Sequence, residues 1–353
     1  MLFASVDQGT TSTRTLVADS MGTVDIKHAI VHRQFYPQPG WVEHDPLELL
    51  ANVKECVAAA GGVSAIGIAN QGESCLAWDS ITRKPLSPAI VWQDNRTARK
   101  IEALKRSGAE TLTLERSGLP LDSYFSATKL GWILAELPEA KAALRTGRLR
   151  LGTTDSYFLD CLAGSFATDV TTASRTGLLN LVTCTWDPDL CRLFEVPIEA
   201  LPEIRPTVAE FGTIEGTPVL ASVVDQQASL YGHGARREGD AKMTFGTGMF
   251  ALAITGRNIV SQQNLRVLPT IAWQIGDEVS YAVDGGVYDA GSTVDFLRRV
   301  GLYTELAELK EFDLPPATDS RGCRSASACR TTRRMPPSGW RVGQKSLFRA
   351  ISC

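Results

Sequence analysis

Two glycine- and hydroxyl-rich turns, each placed between apolar strands, constrain the fold of this 353-residue chain more than any other feature. The first turn is "DQGTTSTR" at residues 7–14, and the second is "FGTG" at residues 245–248. Because a strand rather than a helix follows each turn, neither fits the dinucleotide-binding fingerprint, and the chain contains no G-x-x-x-x-G-K-[ST] loop. The repeat indicates an internal duplication with one phosphate-binding turn in each half.

The first turn has the residue types of a phosphate site. Four hydroxyl residues follow Gly9, namely Thr10, Thr11, Ser12 and Thr13. Backbone N–H groups and hydroxyls in a tight turn form a nest for an anion. Arg14 adds a cation for phosphate oxygens, and Asp7 could hold Mg²⁺ through water. A threonine-rich hairpin without a ligand explains the same composition, because threonine favours strands. The residue types alone leave both interpretations open.

The rest of the sequence alternates apolar strands with helical patterns, which is typical of an α/β fold with mixed sheets. A reversal at Met21–Gly22 extends the first hairpin into a meander. Asp45, followed by Pro46 and then Glu48, predicts a helix start. The remaining predicted strands are 63–69, 89–92, 217–224 and the two arms of 242–256. The remaining predicted helices are about 96–107, 126–137 and one that begins at 225.

Polar clusters follow three of the predicted buried strands directly. They are Asn70–Glu73, Trp92–Arg96 and Asp225–Gln227. Ligands of open α/β sheets bind at the carboxyl ends of strands, so the three clusters predict one shared pocket. Asp225 suits a general base that accepts a hydroxyl proton during phosphoryl transfer. A plain helix N-cap is the competing interpretation, since aspartate often has that role.

Composition excludes several other classes of protein. The formal net charge is −3, so no overall basic field favours nucleic acid. No apolar run approaches the ~18 residues that a membrane span needs, and no signal peptide pattern opens the chain. The eight cysteines form no C-x-x-C pair, and the four histidines form no H-E-x-x-H motif. We therefore expect a cytoplasmic protein with reduced thiols and no nucleic-acid or membrane partner.

The C-terminal segment differs in character from the rest. Residues 318–353 carry eight Lys or Arg residues against a single acid, Asp319, and show no helical or strand periodicity. A shifted reading frame of GC-rich DNA would yield such a sequence. A basic disordered tail that contacts anionic partners is the alternative.

Ten segments in order make the chain similar to the FGGY carbohydrate kinases, and most closely to the glycerol kinases among them. The segments include "DQGTTSTR", "PGWVEHDP", "NQGE", "AIVWQDNRT", "DVTTASRTGLLN", "VVDQQASLYG", "TFGTG" and "VDGGVYDAG". The resemblance implies an α/β fold of the actin-like ATPase (ribonuclease H-like) class, with a complete first lobe and a truncated second lobe. It also implies ATP and Mg²⁺ as cofactors, a small polyol or sugar as acceptor, and a possible homo-oligomer.

The resemblance assigns roles position by position. Asp225 matches the catalytic base. The polyol-binding set comprises Glu73, Tyr124, Asp225 and Gln226, with Trp92 as an apolar wall. The ATP-binding set comprises Thr10, Thr11, Ser12, Arg14, Thr247 and Gly291, and Asp7 matches the residue near Mg²⁺. The implied domains are a first lobe over 1–235, a partial second lobe over 236–316 and a basic tail over 317–353.

Two departures from the family pattern affect the expected function. Gly72 stands where glycerol kinases have an arginine that donates to polyol oxygens, a fork that glycine cannot replace. Gly72 also leaves space, so a tetritol, pentitol or ketose is a candidate acceptor beside glycerol. The shorter second lobe predicts poor solubility and weak ATP affinity. A catalytically inactive fragment that retains polyol binding is therefore an alternative to an active kinase, and an actin-like scaffold without a sugar substrate is another.

Overall fold

A computed structural model describes residues 1–245, 249–260, 267–287, 291–306 and 308. The chain divides into two units, Met1–Val300 and Gly301–Cys353. In the second unit the described residues form a turn in which the backbone N–H groups of Thr304 and Glu305 donate to the Glu308 carboxylate. All strands and helices below belong to the first unit. Thr247 and the whole basic tail over 317–353 lie outside the described residues.

The predicted strands are present, and the structure adds others that the sequence did not predict. In chain order they are β1 (Leu2–Gln8), β2 (Ser12–Asp19), β3 (Val24–Val31), β4 (Glu43–His44), β5 (Ala65–Asn70), β6 (Cys75–Asp79), β7 (Ala89–Ile90), β8 (Leu149–Thr153), β9 (Ala167–Asp169), β10 (Leu179–Asn180), β11 (Thr185–Trp186), β12 (Glu203–Arg205), β13 (Thr213–Ile214), β14 (Thr217–Val224), β15 (Ala241–Phe245), β16 (Met249–Gly256), β17 (Leu268–Ile275) and β18 (Glu278–Val287). The strand expected over 89–92 is limited to its first two residues.

The four predicted helices are present among the described residues, together with six that the sequence did not predict. They are α1 (Pro46–Ala59), α2 (Ala98–Arg106), α3 (Glu110–Arg116), α4 (Ser126–Glu136), α5 (Pro138–Arg145), α6 (Thr154–Phe158), α7 (Val170–Ser174), α8 (Pro188–Leu193), α9 (Asp225–Gly232) and α10 (Gly291–Arg299). A π-helical turn covers Leu159–Ala163 and a 3₁₀ turn covers Ile198–Ala200. Within the described ranges, no helix is both long enough and apolar enough to cross a bilayer.

Six strands form the N-terminal sheet, in the order β13-β14-β5-β1-β2-β3. β1, β2 and β3 make the predicted antiparallel meander, and β5 and β14 run parallel to β1. The register pairs Gln8 with Asn70 and Asn70 with Val224. The polar residues that follow these three strands therefore meet at one edge of the sheet, as strand-end binding sites require.

Helix α1 covers one face of the N-terminal sheet. Its cap is the predicted one, because the Asp45 carboxylate accepts a hydrogen bond from the Leu47 N–H at 2.9 Å and Pro46 occupies the first helical position. Glu48 does not complete a capping box and accepts instead from Arg33. Leu49, Val53 and other apolar residues of α1 join Val6 of β1 in a buried core.

The described part of the first unit also contains two four-stranded sheets and two two-stranded sheets, β10-β11 and β12-β9. The middle sheet has the order β4-β7-β6-β8, and a second core lies between it and helices α4 and α5. The C-terminal sheet has the order β15-β16-β18-β17, with every neighbouring pair antiparallel. The predicted strand–turn–strand unit over 242–256 supplies β15 and β16. The five cysteines in the described part of the chain are all free thiols.

Candidate active site

A cavity of about 480 Å³ opens at the carboxyl ends of the parallel strands of the N-terminal sheet. It brings together every residue of the predicted polyol-binding set with two residues of the first turn. These residues are Glu73, Trp92, Tyr124, Asp225, Gln226, Thr10 and Thr11. The three polar clusters therefore do converge, although the third residue of the middle cluster, Asp94, lies outside the cavity lining.

A second cavity of about 350 Å³ adjoins the first. Asp7 and Gly9 line it from the first turn, and Lys242 lines it from β15. Asp225 and Gln226 line both cavities. The side chain of Asp225 therefore stands where a molecule in the first cavity would meet one in the second.

The carboxylate of Asp225 is not a helix cap. Helix α9 begins at Asp225 itself, its cap residue is Val224, and no side chain caps it. Burial raises the pKa of Asp225 to about 7, and the nearby carboxylates of Asp7 and Glu73 add to this rise. A carboxylate with a pKa near neutrality is well matched to accepting and releasing a proton.

Glu73 sits in a strained turn between β5 and β6. Its φ is 60°, in the left-handed region that a residue with a Cβ seldom adopts. The turn is held in place because the Ser126 hydroxyl donates to the Glu73 carbonyl at 3.0 Å. Burial raises the pKa of the Glu73 carboxyl, whereas the neighbouring Arg175 lowers it. Backbone strain of this kind tends to occur where function requires a fixed side chain.

The aromatic wall of the cavity does more than the sequence predicted. Trp92 packs edge-on against Tyr124, with ring centroids 5.6 Å apart, and against Phe250 at 6.4 Å. The indole Nε1–H of Trp92 also donates to the Thr10 hydroxyl at 3.0 Å. Trp92 is thus a hydrogen-bonded link between the aromatic wall and the first turn as well as an apolar surface.

Three residues that were predicted to bind the nucleotide line neither cavity, namely Ser12, Arg14 and Gly291. Arg14 is exposed, and its Nε donates to the Ser12 hydroxyl at 3.3 Å. Gly291 is the first residue of α10. Thr247, which was also predicted to bind ATP, lies outside the described residues.

The middle polar cluster divides between the cavity and the protein interior. Trp92 and Gln93 line the cavity. Arg96 instead forms a buried ion pair with Asp94 at 2.8 Å and with Glu43 at 2.7 Å. Its guanidinium also lies 3.9 Å from the centre of the Trp41 ring. Arg96 therefore has a structural role here, outside both cavity linings.

Sequence reasoning missed three charged residues at the site. Arg175 and Asp284 line the first cavity, and Lys242 lines the second. The Lys242 ammonium donates to the Gln226 side-chain oxygen at 3.0 Å, and burial lowers its pKa to about 8. Arg175 could have been suspected, because it is an isolated charge within the otherwise uncharged run "VTTASRTGLLN". Lys242 and Asp284 had no comparable signal.

The space beside Gly72 is smaller than the sequence suggested. A Cβ placed on Gly72 would lie 3.2 Å from Val224 Cγ1 and 3.9 Å from Arg175 Cγ. The expectation that Gly72 leaves room is therefore wrong in part, because Val224 and Arg175 occupy the neighbouring volume. A larger acceptor would need its room elsewhere in the 480 Å³ cavity.

The carboxylates at the second cavity are suited to a hard cation. Asp7 and Asp225 both line it, and burial raises the pKa of Asp7. No group of three or more His, Cys, Asp or Glu side chains forms a metal cage within the described residues. Two carboxylates without a cage fit Mg²⁺, which binds few protein ligands and keeps water or phosphate oxygens.

The fold is that of an α/β protein of the actin-like ATPase class. Residues 2–232 match the N-terminal domain of the FGGY family of carbohydrate kinases, and the chain belongs to that family. It is 43% identical to a glycerol kinase of Koribacter versatilis over 313 residues, which cover 83% of this chain and 62% of that protein. The chain thus spans less than two thirds of the length of this curated relative.

Solved structures agree with this assignment. The crystal structure of Plasmodium falciparum glycerol kinase with ADP matches with a TM-score of 0.81 and 31% identity, over 87% of this chain and 65% of that one. A ligand-bound xylulose kinase from Lactobacillus acidophilus matches with a TM-score of 0.75 over 86% and 63% of the two chains, at 21% identity, and so shows the fold alone. These matches confirm the predicted fold class.

Proposed function

We propose that this chain carries the acceptor site of an ATP-dependent kinase that phosphorylates a hydroxyl of glycerol or of a related polyol or sugar. The observation that carries the proposal is the position of Asp225, which lines both adjoining cavities. The first cavity receives the acceptor, and the second receives the end of the phosphate donor. Relatives named glycerol kinases support glycerol as the first acceptor to test.

On the acceptor side, the side chains position and deprotonate the attacking hydroxyl. Glu73 and Gln226 offer oxygen acceptors for polyol hydroxyls, and the Trp92 and Tyr124 rings cover the carbon chain. The Asp225 carboxylate orients the reacting hydroxyl and takes its proton as the new P–O bond forms. Phosphoryl transfer needs little covalent help, so this positioning and the exclusion of water supply most of the catalysis.

On the donor side, the first turn and its neighbours hold phosphate oxygens. Thr10 lines the first cavity and Gly9 the second, and the Thr10 hydroxyl, which accepts from Trp92, still has its own proton to donate. Asp7 would hold Mg²⁺, which neutralises phosphate charge when bound. The Lys242 ammonium adds a positive charge in the same cavity. Arg14 and Ser12 reach phosphate only if the donor extends along the outer face of the turn.

A coupled assay of ADP release tests the proposal with glycerol, erythritol, xylitol and ribitol as acceptors. We expect polyol-dependent ADP release whose kcat/KM rises with pH through about 7, as Asp225 loses its proton. Polyol binding by calorimetry without ADP release would mean that this chain retains only the acceptor site. ADP release that is independent of every polyol would favour an ATPase without a sugar substrate and would contradict the proposal.

A further inference from the structure

Arg175 is a buried arginine in the wall of the first cavity. It follows helix α7, and its side chain is 5% exposed. Two of its three guanidinium nitrogens have carboxylate partners, because Nε donates to Glu73 Oε1 at 2.6 Å and Nη2 donates to Asp284 Oδ2 at 2.9 Å. The third nitrogen, Nη1, has no hydrogen-bond partner within the described part of the chain.

The carboxylate opposite Arg175 is incompletely satisfied in the same way. Asp284 lies in β18 and lines the same cavity, and its Oδ1 has no hydrogen-bond partner among the residues that the structure describes. Buried polar atoms are almost always paired, because an unpaired one retains its cost of desolvation. One ion pair between two residues of the cavity wall therefore leaves both a donor and an acceptor without a partner among the described residues.

A hydroxyl group complements such a pair. It accepts one hydrogen bond through its oxygen and donates one through its proton. A guanidinium held by two carboxylates is also fixed in advance, so little conformational entropy is lost when it binds a ligand. The Glu73 and Asp284 carboxylates raise the pKa of Arg175 despite its burial, so the donor stays charged at every accessible pH.

The Arg175 side chain lies close to position 72, where the sequence has glycine instead of the arginine of the glycerol kinases. Arg175 Cγ lies 3.9 Å from the place where a Cβ on Gly72 would stand. The Arg175 side chain therefore passes beside Gly72 and bonds to Glu73, the next residue in the chain. The wall of the first cavity therefore contains a guanidinium, that of Arg175 after helix α7, although the turn after β5 has glycine instead of arginine at position 72.

We infer that Arg175 and Asp284 together bind one hydroxyl group of the acceptor, which makes them specificity-determining residues of the site. This inference rests on the proposed function, since it names the hydroxyl contacts of the same acceptor cavity. It predicts that the chain prefers acceptors carrying a hydroxyl at one defined carbon, with Nη1 donating to that hydroxyl and Oδ1 accepting from it.

The experiment is a cycle of variants and ligands that differ by one hydroxyl. Calorimetry gives Kd for glycerol, propane-1,2-diol, propane-1,3-diol and erythritol with the unaltered full chain, Arg175→Lys and Asp284→Asn. Lysine keeps the charge but removes the fork, and asparagine keeps the shape of aspartate. Arg96→Lys is the matched control, because Arg96 is also buried, is also paired with two carboxylates and lines neither cavity.

We expect at least one hydroxyl step to change Kd about tenfold or more in the unaltered chain and in Arg96→Lys. The effect of the same hydroxyl on Kd should fall below about threefold in both variants. Lysine has no Nη1, and the asparagine amide, whose oxygen pairs with Arg175 Nη2, places an NH₂ donor where Oδ1 accepted. If every step keeps its size in both variants, Arg175 and Asp284 only stabilise the wall, and the inference is wrong while the proposed function stands. If the unaltered chain binds no polyol at all, the proposed function fails and the inference fails with it.

Discussion

The N-terminal and C-terminal sheets share a strand–turn–strand motif but differ in how well their strands are covered. In the N-terminal sheet, β1 has β2 on one side and β5 on the other, and α1 covers one face. In the C-terminal sheet, β15 is an edge strand whose only sheet partner in the described ranges is β16. Met243 and Phe245 of β15 are 53% and 63% exposed. The first strand of the motif is thus internal in one sheet and at the edge in the other.

This difference bears directly on the candidate site, because both sheets contribute to it. Glu73, Asp225 and the first turn come from the N-terminal sheet and its connections, whereas Lys242 and Asp284 come from the C-terminal sheet. Regions with less buried apolar contact open at lower free energy. We therefore expect Glu73, Asp225 and the first turn to keep their positions under conditions that loosen Lys242 and Asp284.

The largest expected effect on activity comes from Asp225, which lines both cavities. Asp225→Asn keeps the shape of the side chain but removes the base, so polyol phosphorylation should fall by about 10²- to 10⁴-fold. Polyol Kd should change far less, because the amide still contacts the acceptor hydroxyl. Steady-state kinetics together with calorimetry separate the two quantities. Retention of more than a tenth of the kcat would show that Asp225 is not the base.

Matched core truncations compare the two sheets themselves. Ile68 of β5 and Ile254 of β16 are both buried, one in each sheet. Isoleucine-to-alanine changes in cores cost about 2–5 kcal/mol, and the cost is largest where the surroundings cannot collapse. We expect the loss of unfolding free energy to lie near the upper end of this range for Ile68→Ala and near its lower end for Ile254→Ala.

Urea denaturation of both variants provides the measurement for this pair. Equal losses of unfolding free energy would contradict the comparison, because they would mean that the two sheets are equally rigid. A change in the denaturant slope for Ile254→Ala alone would sharpen it, since that result would show the C-terminal sheet unfolding separately.

A smaller effect concerns the pH dependence of stability. The folded-state pKa of Asp225 is about 7, and the unfolded value is near 3.8, so the folded chain binds the additional proton between these values. Stability from this group is present at low pH and is lost as the pH rises toward 7. Asp225→Asn should therefore stabilise the chain at pH 8 by as much as about 4 kcal/mol, and this gain should vanish near pH 4. Thermal denaturation across that range provides the measurement, and a gain that is independent of pH would contradict it.

The sequence predicted the N-terminal sheet well because its signals are local. Strand periodicity, the cap at Asp45 and the polar residues after β5 and β14 are each visible within a few residues. The roles of Arg175 and Asp284 were not predictable in that way, because the partners of Arg175 lie 102 and 109 residues away in the sequence. Only the fold decides which carboxylates face a buried guanidinium. The space beside Gly72 was unpredictable for the same reason, because it is limited by Val224, which β14 brings next to β5 in the sheet.

The smallest expected effect comes from the hydrogen bond between Trp92 and the first turn, and it shows whether Trp92 positions that turn. Trp92→Phe keeps an aromatic ring beside Tyr124 but removes the Nε1–H bond to the Thr10 hydroxyl. A single neutral hydrogen bond contributes about 1 kcal/mol, so KM for the nucleotide should rise about fivefold while polyol Kd changes little. Trp78→Phe is the control, because Trp78 also donates from a buried indole, to Asp160 at 2.7 Å, but lines neither cavity. That control should lower Tm without a change in KM. If both variants shift KM alike, the Trp92–Thr10 bond contributes only stability, and the two sides of the site are positioned independently.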